Sequence, residues 1–205
     1  MQQLPWNKEL LNLAAWRFSK DTLGPGNRLC IWVQGCLKNC PGCMAKDWRS
    51  MREANMISPA DFYRTISDTP VDGVTISGGE PFLQSHALAC LLKIMHPRNV
   101  ICFSGYTYEE ILQDASKRDL LNVTDILIDG EYDENKNSGS GLRGSYNQKI
   151  IQLKNPASGE KQLSAAQLET CPRKMEIITE KDGIMIVGIP EKRLWKSLYA
   201  IYSGK

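Results

Sequence analysis

Three cysteines fall within eight residues, in the run Cys36-Leu37-Lys38-Asn39-Cys40-Pro41-Gly42-Cys43, directly after the β-rich segment Arg28–Gln34. Thiolates at this spacing can wrap one face of a cubic 4Fe–4S cluster, each ligating a separate iron. The fourth iron is then left without a protein ligand, and a small molecule can bind it through amino and carboxylate groups. Gly35 and Gly42 let the backbone turn tightly and approach the cluster sulfides.

A structural zinc site is the other reading of the same residues, with Cys30 or another cysteine as fourth ligand. Structural zinc usually uses two separated CxxC pairs. Here only Cys40 and Cys43 form one, and Cys30 lies inside a strand-like segment. The chain has seven cysteines, an odd number, and only two histidines, His86 and His96, with no HExxH. A disulfide framework normally uses an even set spread along a small secreted chain. Cys90, Cys102 and Cys171 read as small buried hydrophobes.

The 205 residues are 42% hydrophobic and 23% charged, which suits one globular domain or a domain with a small appendage. The formal net charge is +2, with both signs interspersed and no basic block, so no nucleic-acid partner is expected. No apolar run approaches the roughly 18 residues of a membrane span. The N-terminus lacks the charged and apolar regions of a signal peptide. A cytoplasmic protein with no membrane partner is the expectation.

Strands and helices alternate over the first two thirds. Leu13–Ser19 and Arg28–Gln34 read as extended, with a turn over Asp21–Asn27. Ser58, Pro59 and Asp61 start a helix that runs to about Asp68. Asp72–Ser77 is a short strand ending at Gly78-Gly79, and Gln84–Met95 carries helical apolar spacing. Asn99–Ser104 and Thr124–Asp129 are strands, separated by a helix opening at Thr107 with Glu110 as its capping-box partner. This pattern implies βαβ units and a parallel sheet. Gly130–Asn147, rich in Gly, Ser and Asn, reads as a long loop. Met175–Val187 reads as a hairpin about Lys181-Asp182-Gly183, and Pro190–Tyr202 as an amphipathic helix.

An ordered set of motifs resembles the radical S-adenosylmethionine (SAM) superfamily, and within it the activating enzymes of anaerobic ribonucleotide reductases. The set is Gly24-Pro25-Gly26-Asn27-Arg28, Gln34-Gly35-Cys36, Cys40-Pro41-Gly42-Cys43, Ile76-Ser77-Gly78-Gly79-Glu80-Pro81, Ser104-Gly105-Tyr106-Thr107, Ile128-Asp129-Gly130 and Arg143-Gly144-Ser145 followed by Asn147-Gln148. Members of the superfamily often carry an aromatic just before the last cluster cysteine. Gly42 departs from that and matches the Pro-Gly pair of the activating enzymes. The segment after about Gln152 is longer than in the smallest members and reads as a partner-binding addition or a cap over the sheet.

The resemblance implies an α/β fold, a partial (β/α) barrel of radical SAM type with a parallel sheet. Residues 1–151 would be the core, and 152–205 a hairpin-and-helix extension packed on it. It implies cluster ligation by Cys36, Cys40 and Cys43, and SAM contacts from Gly42, Cys43, Met44, Gly78, Gly79, Glu80, Ser104 and Asp129. Glu80 would meet the SAM ammonium; Ser104 would meet the ribose. Asp129 would bind a ribose hydroxyl, a cation or the ammonium, or serve as a buried turn carboxylate. No protein acid, base or nucleophile is required. The reduced cluster would split SAM into methionine and a 5′-deoxyadenosyl radical, which takes a hydrogen atom from a glycine of a large glycyl-radical enzyme. Flavodoxin or ferredoxin would supply the electron. The alternatives are a radical SAM enzyme acting on a small molecule or peptide, with the C-terminal segment as lid, and a non-enzymatic iron–sulfur or zinc module. Arg28 and Arg143 are open between ion pairing, SAM and the partner, with solvent the default for Arg143. Trp16, Trp32 and Trp48 either pack in the core or shield the cluster.

Overall fold

Alternate residues of one strand, Leu29, Ile31 and Val33 against Cys30 and Trp32, enter two different apolar clusters, so the sheet is buried on both faces. A computed structural model describes residues 4–137, 139–154, 163–180 and 183–203. The chain runs β1 (Leu11–Lys20), β2 (Asn27–Val33), β3 (Asn55–Ile57), α1 (Pro59–Ile66), β4 (Gly73–Gly78), α2 (Ser85–Met95), β5 (Val100–Phe103), α3 (Tyr108–Gln113), α4 (Arg118–Val123) and β6 (Ile126–Asp129). It continues with β7 (Lys149–Gln152), α5 (Ala165–Thr170), β8 (Met175–Glu180), β9 (Gly183–Gly188) and α6 (Lys192–Ser203). Seven strands form one sheet in the order β3-β1-β2-β4-β5-β6-β7, and β8 pairs only with β9.

The centre of the sheet, β2-β4-β5-β6, is parallel, while β1, β3 and β7 pair antiparallel at its flanks. The expected partial barrel is realised only as this open mixed sheet. It does not close, because β7 turns back onto β6 and occupies the edge along which a further parallel strand would add. Helices α1 to α4 all cover one face: Phe62, Ile66, Leu88, Leu91, Ile111 and Leu120 pack on Leu29, Ile31, Val74 and Ile76. The other face, with Cys30, Trp32, Ile101, Ile126 and Ile128, is covered by later chain: Leu142, Leu168, Met185, Val187 and Ile189.

Local signals formed as read. Ser58 accepts from the Asp61 N–H at the start of α1, and Thr107 and Glu110 make both bonds of a capping box on α3. The turn residues Lys181 and Asp182 of the hairpin lie outside the described residues. Four elements were not read from the sequence: β3, α4, β7 and α5, the last in spite of the Ser164–Gln167 capping box at its start. Each has six or fewer residues and owes its place to non-local partners, as β7 does to β6.

The Gly130–Asn147 segment is a packed loop. Arg173 clamps it, donating to Gly141 O at 3.0 Å, Asn137 Oδ1 at 2.6 Å, Ser140 O at 3.3 Å and Arg143 O at 2.5 Å. Arg143 is not a solvated surface residue. Its side chain is 14% exposed, pairs with Glu169 at 3.1 Å and lies 5.0 Å from the Tyr146 ring centroid.

Arg28 is a structural strut, 1% exposed. It donates to Thr75 Oγ1 at 2.6 Å, Val74 O at 2.7 Å, Asn99 Oδ1 at 2.8 Å and Pro25 O at 3.5 Å, all neutral acceptors. Burial pulls its pKa down to about 10. Arg28→Met strands these acceptors in the interior, so it should cost about 3 kcal/mol of stability in urea unfolding at neutral pH; a loss below about 1 kcal/mol refutes the strut.

Candidate active site

The cysteine loop leaves the C-terminal end of β2 and is tied off at its neck. Gly35 N–H donates to Trp48 O at 2.8 Å and Cys36 N–H to Arg49 O at 3.0 Å. Behind the neck, buried Gln34 and Gln84 complete a polar lock. Gln84 Nε2 donates to Asn12 O and Gln34 O, both at 3.0 Å, and Gln34 Nε2 donates to Ser50 O at 2.6 Å.

The parallel register of β2 and β4 pairs Val33 with Gly78, so the loops after both strands emerge side by side. Gly79 N–H donates to Val33 O at 2.7 Å and Glu80 N–H to Gly35 O at 2.8 Å. A Cβ on Gly79 would run into the Gly35 carbonyl, and Gly78 sits at φ +104, so this junction requires both glycines.

A cavity of about 740 Å³ opens at the C-terminal ends of the parallel strands, on the face away from the helices. It is lined by Cys36, Cys40, Cys43, Met44, Gly78, Gly79, Glu80 and Ser104, which gathers most of the expected site residues. Gly42 and Asp129 do not line it. Gly42 turns away at φ +71, against the Glu134 side chain. Asp129 is 2% exposed, and its two carboxylate oxygens accept from Tyr108 N–H at 2.7 Å and Lys149 N–H at 3.3 Å. It fastens the start of α3 to β7.

Glu80 is 1% exposed and accepts from Phe82 N–H at 3.0 Å, Ser104 Oγ at 2.9 Å and Gly105 N–H at 2.7 Å. A carboxylate has about four acceptor positions, so one remains. Burial pushes its pKa up to about 7 against the opposing pull of these donors. Burial also raises all three loop thiols, Cys36 to about 11, with Glu80 and the neighbouring cysteines adding to the effect there. Ligation by a metal must displace those protons.

Sequence reasoning missed two parts of the wall. Arg49 lines the cavity, and its Nε is buried without a hydrogen-bond partner, while Nη2 donates to Asn39 Oδ1 at 2.5 Å. A spacing motif does not single out such a residue; only its place at the loop neck does. The far wall is apolar and comes from Met185, Ile189, Pro190, Trp195 and Leu198. Trp32 and Trp48 also line the cavity, their rings tilted at 50° with centroids 5.8 Å apart, and Trp16 packs edge-on against Phe62.

The donor set fits a cluster held on one face. Three free thiols share the cavity, and Cys30, Cys90, Cys102 and Cys171 are absent from its lining. No fourth thiol lines the cavity, among the described residues no three His, Cys, Asp or Glu side chains are gathered as a single metal ion needs, and the orphaned Arg49 Nε can meet an anionic group such as a ligand carboxylate. An open α/β sheet with three free thiols at its strand ends is the class of arrangement that can carry an iron–sulfur cluster.

Comparison with known proteins gives the family. The model of the 4Fe-4S single cluster domain matches residues 22–151. The chain is 28% identical over 136 residues to the anaerobic ribonucleoside-triphosphate reductase-activating protein of Enterobacteria phage T4, covering 62% of this chain and 85% of that protein. It is 32% identical over 143 residues to the protein of the same name from Pasteurella multocida, covering 63% and 90%. It is 32% identical over 116 residues to the pyruvate formate-lyase-activating enzyme of Listeria monocytogenes, covering 51% and 46%. The chain belongs to the 4Fe-4S single cluster domain family, and with these activating proteins to the radical SAM superfamily.

The Glu80 environment has a measurable consequence. Its folded pKa, about 7, is above the ordinary 4.5, so the stability tied to its proton is complete below about pH 4.5 and is lost as pH rises through about 7. The loss should be on the order of 3 kcal/mol. Urea unfolding of the cluster-free chain from pH 5 to 8 should show this decline, and Glu80→Gln should flatten it. An equal slope in both chains refutes the assignment.

Proposed function

We propose that this chain is a glycyl-radical-activating enzyme: it holds one 4Fe–4S cluster through Cys36, Cys40 and Cys43, binds SAM in the same cavity, and activates an anaerobic ribonucleoside-triphosphate reductase. The observation that carries this is the convergence of three free thiols with Gly78, Gly79, Glu80 and Ser104 on one cavity. The names of the curated relatives support the target. The helices on one face of the sheet and the cavity on the other support reading β2, β4, β5 and β6 as a partial barrel.

Held by Cys36, Cys40 and Cys43, the cluster would supply the single electron for reductive cleavage of SAM, with methionine as the leaving group, and so the radical chemistry that removes hydrogen from a glycine of the partner. The chain's own residues orient and shield. Glu80 has one acceptor position left for the SAM ammonium, held in place by three internal donors. Ser104 Oγ, already donating to Glu80 and accepting from Tyr106 N–H at 3.0 Å, offers its remaining lone pair to a ribose hydroxyl. Arg49 offers its free Nε–H to the SAM carboxylate. Trp32, Trp48 and Phe103 exclude water. Met44, beside Cys43, gives an apolar contact to SAM, and Gly42 allows the loop turn that Glu134 packs against.

We assign residues 1–151 to the core and 152–205 to an extension. Flavodoxin or ferredoxin is the electron donor in this reading, and free thiols with a reduced cluster suit the cytoplasm. A second reading is favoured by one observation: the extension supplies the apolar wall of the cavity. In that reading the wall is a lid over a small molecule or peptide.

Anaerobic reconstitution with iron and sulfide decides the first question. Cys36→Ala, Cys40→Ala and Cys43→Ala should each abolish the visible cluster absorption and 5′-deoxyadenosine formation with dithionite and SAM, while Cys30→Ala should keep both. Loss in Cys30→Ala would mean the wrong triad. The reductase, mixed with the loaded chain and SAM, should then develop a glycyl radical in its electron paramagnetic resonance (EPR) spectrum; SAM cleavage with no such signal favours the second reading.

A further inference from the structure

Lys38 stands midway between Cys36 and Cys40, and the proposed chemistry gives it no task. Its ammonium lies 3.3 Å from Glu110 Oε1, 3.2 Å from Glu131 Oε1 and 4.6 Å from the Tyr106 ring centroid. Its stem rests on Gly105, where an added Cβ would come within 3.1 Å of Lys38 Cγ. The side chain is 17% exposed, although it is a lysine on a loop.

Each partner is itself held. Glu110 closes the capping box of α3 with Thr107. Tyr106 is covered from a second side by Lys117, also 4.6 Å from its centroid, and Lys117 pairs with Asp114. Glu131 follows β6, and its Oε2 lies 3.8 Å from Cys40 Sγ. One cation on the thiol loop thus spans the loops that follow β5 and β6. Partly exposed ion pairs add little to folding stability, so this convergence serves placement and local field more than the fold.

The field has a sign. A carboxylate beside a cluster thiolate adds negative charge where a further electron must be placed, and net charge near a cluster sets its potential. Lys38 offsets Glu131 at that point. We propose that Lys38 is a positioning residue that pins the cysteine loop to the β5 and β6 ends and, in opposition to Glu131, sets the reduction potential of the cluster. This rests on the reading of Cys36, Cys40 and Cys43 as cluster ligands.

The test uses the reconstituted chain and its variants in an anaerobic reductive titration followed by EPR of the reduced cluster. Lys38→Met should shift the midpoint to lower potential and Glu131→Gln to higher. The double variant should return close to the parent value, and Lys38→Arg should stay near it. A role limited to packing would not produce opposite shifts that cancel. In the cluster-free chain, amide exchange over residues 36–43 should speed up in Lys38→Met and remain slow in Lys38→Arg. If Lys38→Met loads no cluster, Glu131→Gln decides, and no upward shift there overturns the proposal. A loaded parent with unchanged midpoints in both single variants overturns this inference and leaves the cluster reading standing. A parent that takes up no 4Fe–4S cluster overturns both.

Discussion

The parallel pairing of β2 with β4 is the constraint on which the site depends. Its register sets Val33 opposite Gly78, and the two backbone bonds beyond it, Gly79 to Val33 and Glu80 to Gly35, carry the pairing past the strand ends. The cysteine loop and the glycine–glutamate turn are thereby placed in backbone contact. Parallel strands deliver their C-terminal ends to the same edge. The loops after β5 and β6 therefore arrive beside the same cavity, bringing Ser104, Gly105 and Gly130.

The two faces of the sheet are put to different use. Four helices seal one face with apolar packing. The opposite face is closed by chain that comes after residue 138, much of it beyond the matched region of 22–151. Arg173 makes this possible by satisfying the carbonyls of a glycine-rich loop whose own secondary structure is one 3-10 turn over Glu134–Lys136 and a single bridge at Ser140, among the described residues. The result is a cavity with a polar, thiol-bearing side from the core and an apolar side from the last third of the chain.

What was legible in the sequence was local or repeated. The thiol spacing, the Gly-Gly-Glu-Pro turn, the capping box at Thr107 and the alternation of apolar runs each depend on residues a few positions apart. They located the central strands and most of the expected site residues that the cavity gathers. Asp129 was legible as a buried strand-end carboxylate, but each of its oxygens accepts from a backbone N–H, of Tyr108 and of Lys149, partners about 20 residues away that no spacing rule identifies. Arg49, Arg143 and Arg173 were opaque for the same reason. An arginine's use is decided by which carbonyls fold around it, and those lie up to 36 residues distant. The edge strand β7 has four residues and no alternation of its own; only the edge of β6 makes it a strand.

Charge in the site follows from these backbone facts. Glu80 is fully buried and would be expelled or permanently neutral without donors, yet the Phe82 and Gly105 N–H groups and Ser104 hold it at about 7, poised between its two forms. Its charge therefore responds to what enters the cavity. A cation brought next to it stabilises the carboxylate, while a negative cluster alone stabilises the acid. Lys38 and Arg49 flank the same space from the cysteine loop and its neck. A ligand carrying both an ammonium and a carboxylate is matched by Glu80 and Arg49 together, and one carrying a single charge leaves one of these two groups uncompensated. On the proposed reading of the cavity as the SAM site, this pairing suits an amino-acid head group.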